Sequence, residues 1–258
     1  MRDALYAEWT KLRTLTSTGW LLSAAAVLTV GLSAAVVGAT GYTSGGPYQD
    51  LPKLALTGID LGQSVIAVLA VLAVSNEYST GMMRTTLAAV PRRLVVLAAK
   101  AVNLVGLTVV AGIVAVGACL FAARLILPGR GFTAAHGYPV LALAHGPIVR
   151  AAVGSVLYLV LIALFSLGVA TAVRDSATAI GLVLGLLYLF PLLAQLVTDP
   201  AWHRHLQQIG PMTAGLAIQA TTNLQGLPIS PWAGLAVLAA WAGAALIGGG
   251  VLLRHRDA

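Results

Sequence analysis

The amino-acid sequence predicts an all-α integral membrane protein: six transmembrane helices, an amino-terminal amphipathic interfacial helix, a short cytoplasmic helix between the second and third spans, and both termini cytoplasmic. Three observations predict it. The composition is 59% hydrophobic and 9% charged, with a mean hydropathy of +0.90, whereas a soluble domain carries about 25% charged residues. Six apolar stretches are long enough to cross about 30 Å of hydrocarbon at about 1.5 Å per residue. The basic residues alternate between dense and sparse segments, as orientation signals do.

The elements follow in chain order. Residues 1–18 place Leu5, Trp9 and Leu12 at helical spacing, with Arg2, Glu8, Lys11 and Arg13 mostly off that stripe. That pattern suits a helix lying on the inner leaflet, its basic residues toward anionic headgroups. The spans follow at 20–40, 58–75, 101–123, 151–173, 177–197 and 232–253. The first is longer than a signal-peptide core. The second is the shortest and carries Asp60 near the outer end, where it reaches water. The third holds Asn103 and Thr108 and the fifth Gln195, which read as hydrogen-bond glue between helices, and Lys100 is expected to snorkel to the inner interface. Pro191 is placed to kink the fifth span. Gly58-x-x-x-Gly62 and Gly181-x-x-x-Gly185 have close-packing spacing.

With the amino end inside, Arg2, Lys11, Arg13, Arg84, Arg92, Arg93, Lys100, Arg174, Arg254 and Arg256 fall on inner segments. Only Lys53, Arg124, Arg130, Arg150 and Arg204 fall on outer ones, so the bias places both termini in the cytoplasm. Trp20 and Tyr78 sit at inner boundaries, and Tyr42, Trp202 and Trp232 near outer ones. The net charge of +7 is therefore an orientation signal, and no nucleic-acid partner is read from it. Cys119 is the only cysteine, so no intrachain disulfide forms.

The segment after the second span carries the most information. It reads Asn76-Glu77-Tyr78-Ser79-Thr80-Gly81-Met82-Met83-Arg84-Thr85-Thr86-Leu87-Ala88-Ala89-Val90-Pro91-Arg92-Arg93. Ser79 or Thr80 is positioned to cap a short helix over 79–90, and Pro91 to end it. Met82, Met83, Leu87 and Val90 form an apolar surface beside Arg84. Such a helix either docks in another protein's groove or is a turn resting on the membrane, and the residues alone leave both open.

The run Glu77-Tyr78-Ser79-Thr80-Gly81, followed by Arg84-Thr85-Thr86-Leu87, Pro91-Arg92-Arg93 and Lys100, resembles the inner loop of ABC-2-type ABC transporter permeases. Glu8-Trp9-Thr10-Lys11-Leu12-Arg13-Thr14 resembles that family's amino-terminal helix, most of all in actinobacterial-type members. The resemblance is specific over these two segments and covers the whole chain in layout. It implies that 1–258 is a single ABC-2-type transmembrane domain and that 79–90 is the coupling helix of an exporter in a bacterial plasma membrane. The ATPase-coupling interface would comprise Glu77, Tyr78, Gly81, Met82, Arg84, Thr85, Leu87, Pro91 and Arg92, and the interfacial helix would offer Glu8, Trp9, Lys11, Leu12 and Arg13. Glu77 would hold the lever's angle by bonding a helix amino terminus or pairing with Arg84 or Arg92. The implied partners are a separate ABC ATPase carrying ATP and Mg, a second permease copy (identical or a paralogue) and membrane lipid. Segment 199–231 would supply short outer or re-entrant helices. Met82 departs from the threonine common at that position, and the 124–150 outer segment is longer than the family's layout.

The chain itself reads as no enzyme and as holding no cofactor. Lys11, Lys53 and Lys100 follow Thr10, Pro52 and Ala99, so no Gly-Lys pair can build a phosphate-binding loop. There is no His-Glu-x-x-His and no Gly-x-Ser-x-Gly, and His203-Arg204-His205 reads as an exposed loop rather than a metal site. The competing readings are an ATP-independent secondary transporter and a non-transporting scaffold or immunity protein. A secondary transporter calls for buried ionisable pairs, which the sequence does not lead one to expect.

Overall fold

The computed structural model describes residues 2–14, 16–44, 48–89, 92–138 and 146–255. Among them are eleven α-helices, a few 3-10 turns and no strand. The helices are α1 (Arg2–Thr14), α2 (Thr16–Ala39), α3 (Leu51–Ala55), α4 (Ile59–Ser79), α5 (Met82–Ala89), α6 (Arg93–Ile126), α7 (Gly146–Val173), α8 (Ser176–Leu196), α9 (Pro200–Ile209), α10 (Pro211–Leu216) and α11 (Pro231–His255). Six of them, α2, α4, α6, α7, α8 and α11, are long and apolar enough to cross a membrane.

The spans predicted from sequence reappear with one large change. The third, expected over 101–123, is a helix of 34 residues from Arg93 to Ile126. The apolar run that defines a span from sequence stops at the first charges, but the helix does not. Residues 94–99 form helix as readily as those after them, and nothing breaks it until Leu127–Arg130 tightens into a 3-10 turn containing Pro128. The helix is about 51 Å long, well beyond the hydrocarbon thickness of about 30 Å. The 124–150 segment, expected as one long loop, shortens accordingly. Part of it packs as an aromatic cluster in which Phe132 and Tyr138 are buried and Tyr42 stacks on His136 with ring centroids 4.3 Å apart.

α7 is the centre of the bundle. In its most apolar window 67% of residues are buried, against 22% in both α2 and α8, which lie at the periphery. Two close crossings pin α4 and α11 to their neighbours. A Cβ on Gly58 would stand 1.8 Å from the Thr29 carbonyl oxygen, and one on Gly62 would stand 2.0 Å from Thr29 Oγ1, so this glycine pair lets α4 and α2 touch backbones. Gly168 and Gly249 do the same for α7 and α11. The Gly181–Gly185 pair on α8, by contrast, faces open space. α8 begins at Asp175, whose carboxylate accepts from Thr178 N at 2.8 Å and Thr178 Oγ1 at 2.6 Å, and it runs through Pro191 to Leu196.

Segment 199–231 folds back on the bundle. Asp199 caps α9 by accepting from Ala201 N at 2.8 Å, and Pro200 fits the first turn, where no amide donor is needed. His203 Nδ1 meets the Ala194 carbonyl at 2.7 Å, tying α9 to the end of α8. α10 is largely buried, packing on α8, α11 and the centre of α7. The Asp50 carboxylate then fastens the following loop to the start of α3, accepting from Thr221 N at 2.5 Å, Thr221 Oγ1 at 2.6 Å and Thr222 N at 3.0 Å.

Candidate functional site

The segments singled out by sequence meet at the end of α4. α1 lies against α6 and touches α2, with Ala4, Glu8 and Leu12 forming its buried face. That face is one helical position away from the expected Leu5, Trp9 and Leu12 stripe. Trp9 is exposed, and a glutamate occupies the middle of the buried side. Asn103 on α6 holds the helix down by donating from Nδ2 to the Leu5 carbonyl at 3.0 Å.

Glu8 enters a closed ring of four charges. Its Oε2 lies 2.7 Å from Lys100 Nζ on α6, and its Oε1 lies 3.0 Å from Lys11 Nζ on α1. Glu77 on α4 closes the ring through Oε1, 2.7 Å from Lys11 and 2.8 Å from Lys100. The formal charge sums to zero. Each ammonium has three protons to place, and each finds three acceptors. Lys100 adds the Ala73 carbonyl at 3.3 Å, and Lys11 adds Thr86 Oγ1 on α5 at 3.3 Å. Burial opposes the charge on Lys11, but the hydrogen bonds to Glu77 and Glu8 outweigh it and lift its pKa above the ordinary 10.5.

Three expectations are corrected here. Lys100 does not snorkel; it is 4% exposed and fully paired. Glu77 pairs with Lys11 and Lys100, and among the described side chains it forms no ion pair with Arg92. Buried ionisable pairs, which the sequence did not lead one to expect, are present. The physical reason is the length of α6, which carries Lys100 beside α4 instead of leaving it at a helix end. A signal for this does exist in the sequence: Lys100 sits singly in an otherwise apolar helical run, and such a residue needs a partner of opposite charge.

Beyond Glu77 the chain turns sharply. Ser79 and Thr80 do not cap α5. Their hydroxyls reach back to the Asn76 carbonyl at 3.1 and 2.7 Å, so they finish α4. Gly81 then takes a left-handed φ of +71°, a conformation that costs glycine little, and α5 starts at Met82. Met82 is exposed at 43%, while Met83 is buried at 3% and is not part of any offered surface. Thr85 is exposed, its hydroxyl bonded to the Met82 carbonyl at 2.8 Å. Arg84 and Leu87 fall on α5, and Val90 and Pro91 lie outside the described residues. Tyr78 is half-buried, with the Arg174 guanidinium 5.2 Å from its ring centroid. Arg92 is exposed at the start of α6, and Arg13 is exposed on α1.

A second polar assembly, missed at the sequence level, sits at the opposite end of α4. Gln63, 0% exposed, donates from Nε2 to the Tyr188 hydroxyl at 3.3 Å and accepts from the Tyr158 hydroxyl. Tyr188 in turn donates to the Asp60 backbone carbonyl at 2.6 Å and shares a 2.7 Å bond with Ser64. The tyrosines come from α7 and α8, more than ninety residues away in the chain, so only the fold reveals the group.

The six helices and their composition define a multi-pass membrane protein. Compared with models of known families and with curated proteins, the chain has no match in either.

Proposed function

We propose that this chain is the membrane-spanning permease subunit of an ATP-driven ABC exporter of the ABC-2 type, in a bacterial plasma membrane, with both termini cytoplasmic. It pairs with a second permease copy and with a separate ABC ATPase that binds ATP and Mg. The observation that supports the reading is the charge ring at the joint of α4 and α5. A permease driven from outside needs a projecting element that a motor can grip and a stiff connection from that element to the spans. α5 is the projecting element, separated from α4 by the Gly81 turn and offering Met82 at its start. Lys11 is the connection, touching Glu8 on α1, Glu77 on α4 and Thr86 on α5. Closure of the ATPase pair displaces α5, and α1, α4 and α6 follow as one body, because sliding any of them apart would strand a buried charge. α1, with Trp9 exposed and Arg13 off its buried face, lies at the inner interface.

Affinity purification of the chain from its native cell in mild detergent tests this. An ABC ATPase is expected in near-equal amount. Gly81→Val, which forces a side chain onto a left-handed backbone, is expected to weaken that association or uncouple ATP hydrolysis from transport. Recovery of the wild-type chain without any ATPase under several detergents would refute the reading.

A secondary transporter is the second reading, and the presence of three buried charges, Glu8, Glu77 and Lys100, beside the part-buried Lys11 favours it. Their arrangement argues the other way. Both ammonium groups are saturated with acceptors, and the ring lies near the end of α4, not midway across. Transport abolished by a proton uncoupler at constant ATP would support this second reading.

A further inference from the structure

A recess of about 350 Å³ opens beside the beginning of α4, at the far end of that helix from the charge ring. Asp60 and Glu77 are about 26 Å apart along the helix axis, so the two places are distinct. Lys53, Thr57, Asp60, Gln207, Thr213 and Gln219 supply its polar lining. Its walls are fixed. The network of Gln63, Tyr158 and Tyr188 holds the Asp60 backbone, Gln208 Nε2 donates to the Pro228 carbonyl at 2.7 Å, and Asp50 fastens the loop at Thr221.

What sets the recess apart is polar groups without partners. Among the described residues, no donor reaches the Asp60 carboxylate and no acceptor reaches the Lys53 ammonium. The two oppositely charged groups face one recess without forming an ion pair. Gln219, 3% exposed, has an amide nitrogen with no hydrogen-bond partner. Buried polar groups are nearly always satisfied, so the unpaired Gln219 amide lining this cavity points to a missing ligand, and the part-buried Asp60 carboxylate and exposed Lys53 ammonium beside it supply the charges that such a ligand would match. One acceptor of negative charge, one donor of positive charge and a spare amide donor describe the complement of a compact zwitterion. A simple cation would meet Lys53, and a simple anion would meet Asp60. The volume lies at the small end of ligand pockets, which run from about 300 to 1,000 Å³. It suits a headgroup-sized molecule.

We propose that this recess binds a zwitterion, with a primary ammonium against the Asp60 carboxylate and a phosphate or carboxylate against Lys53. The ligand chemistry is shared by free small zwitterions and by an ethanolamine-type phospholipid headgroup. The assignment concerns this chain alone and does not depend on an ATPase partner.

The test uses the full chain in nanodiscs of phosphatidylglycerol, titrated calorimetrically with phosphoethanolamine, ethanolamine and inorganic phosphate. Saturable binding of phosphoethanolamine is expected, about tenfold or more tighter than either half. Asp60→Asn and Lys53→Gln are each expected to weaken it by about tenfold or more, while Arg204→Ala leaves it unchanged. Lys53 is exposed, so its variant remains informative even if Asp60→Asn folds poorly. Repeating the titration in phosphatidylethanolamine discs separates the sources. If the lipid headgroup is the occupant, the soluble probe no longer binds; if a free zwitterion is, binding persists unchanged. Absence of saturable binding in phosphatidylglycerol discs, equal affinity for ethanolamine or phosphate alone, or wild-type affinity in both variants would each overturn the proposal.

Discussion

Replacing Glu77 by glutamine keeps the side chain's shape and one oxygen but removes one of the ring's two negative charges. Lys11 and Lys100 are each within 3 Å of the Glu77 carboxylate, at 2.7 and 2.8 Å, and Lys100 is only 4% exposed. Glu8 is left to balance both ammoniums, so the site holds an uncompensated positive charge. Breaking a buried pair in this way costs about 3–5 kcal/mol. For a chain of this size each kcal/mol moves the melting temperature by about 2–4 °C, so the expected loss is about 6–20 °C. The double variant Glu77→Gln with Lys11→Met restores neutrality and leaves the Glu8–Lys100 pair intact. It is expected to recover about 1–3 kcal/mol relative to the sum of the two single changes. Thermal unfolding of the four proteins in one detergent, followed by monodispersity on a sizing column, reads out the cycle. A single variant melting within about 1 °C of wild type, or additive single changes, would refute the ring as a structural unit.

Further outcomes follow from other parts of the molecule. The pKa of Lys11 is raised by folding, so its stabilising contribution is complete below the ordinary 10.5 and fades only as pH climbs through the higher folded value. The melting-temperature gap between wild type and Lys11→Met is expected to stay constant from neutral pH to about 9 and to shrink above 10.5. Gly62→Ala drives a Cβ against Thr29 and is expected to cost about 1–3 kcal/mol, measured by thermal unfolding. Gly181→Ala faces open space and should leave stability nearly unchanged in the same assay. With Cys119 replaced by alanine, a cysteine at Ser79 or Thr80 is expected to resist a membrane-impermeant maleimide in intact cells and to react in inverted vesicles; labelling from outside would reverse the proposed orientation.

The spans were legible because hydrocarbon imposes a simple demand, about twenty apolar residues in a row, which composition alone can answer. Their ends were less legible. α6 extends beyond Lys100 as far as Arg93 because helix formation tolerates charge wherever a partner or water is available, and a window that counts apolar residues cannot know which. The importance of Glu8, Lys11, Glu77 and Lys100 could be suspected one residue at a time, but their pairing joins positions up to 92 residues apart and is a property of how α1, α4 and α6 pack. α1 shows the same limit. Its apolar stripe pointed to Trp9, whereas packing turned Glu8 inward, because Lys100 offered a charge that lipid could not. Met83, read as exposed, turned inward once the Gly81 turn set the direction of α5. Gln63, Tyr158 and Tyr188 carried no motif, since hydrogen bonds between distant spans leave no spacing to read.

The ring also fixes an order of events during synthesis. Glu8 and Lys11 leave the ribosome early, yet Glu8's second partner, Lys100, follows 92 residues later. Until then the nascent chain holds two of the acids and only one of the bases, and α1 has no α6 to rest on. The first helix therefore completes its packing only once the third span has arrived. Any fragment that ends before Lys100 leaves Glu8 and Glu77 to share Lys11 alone, so it holds one carboxylate more than its base can balance.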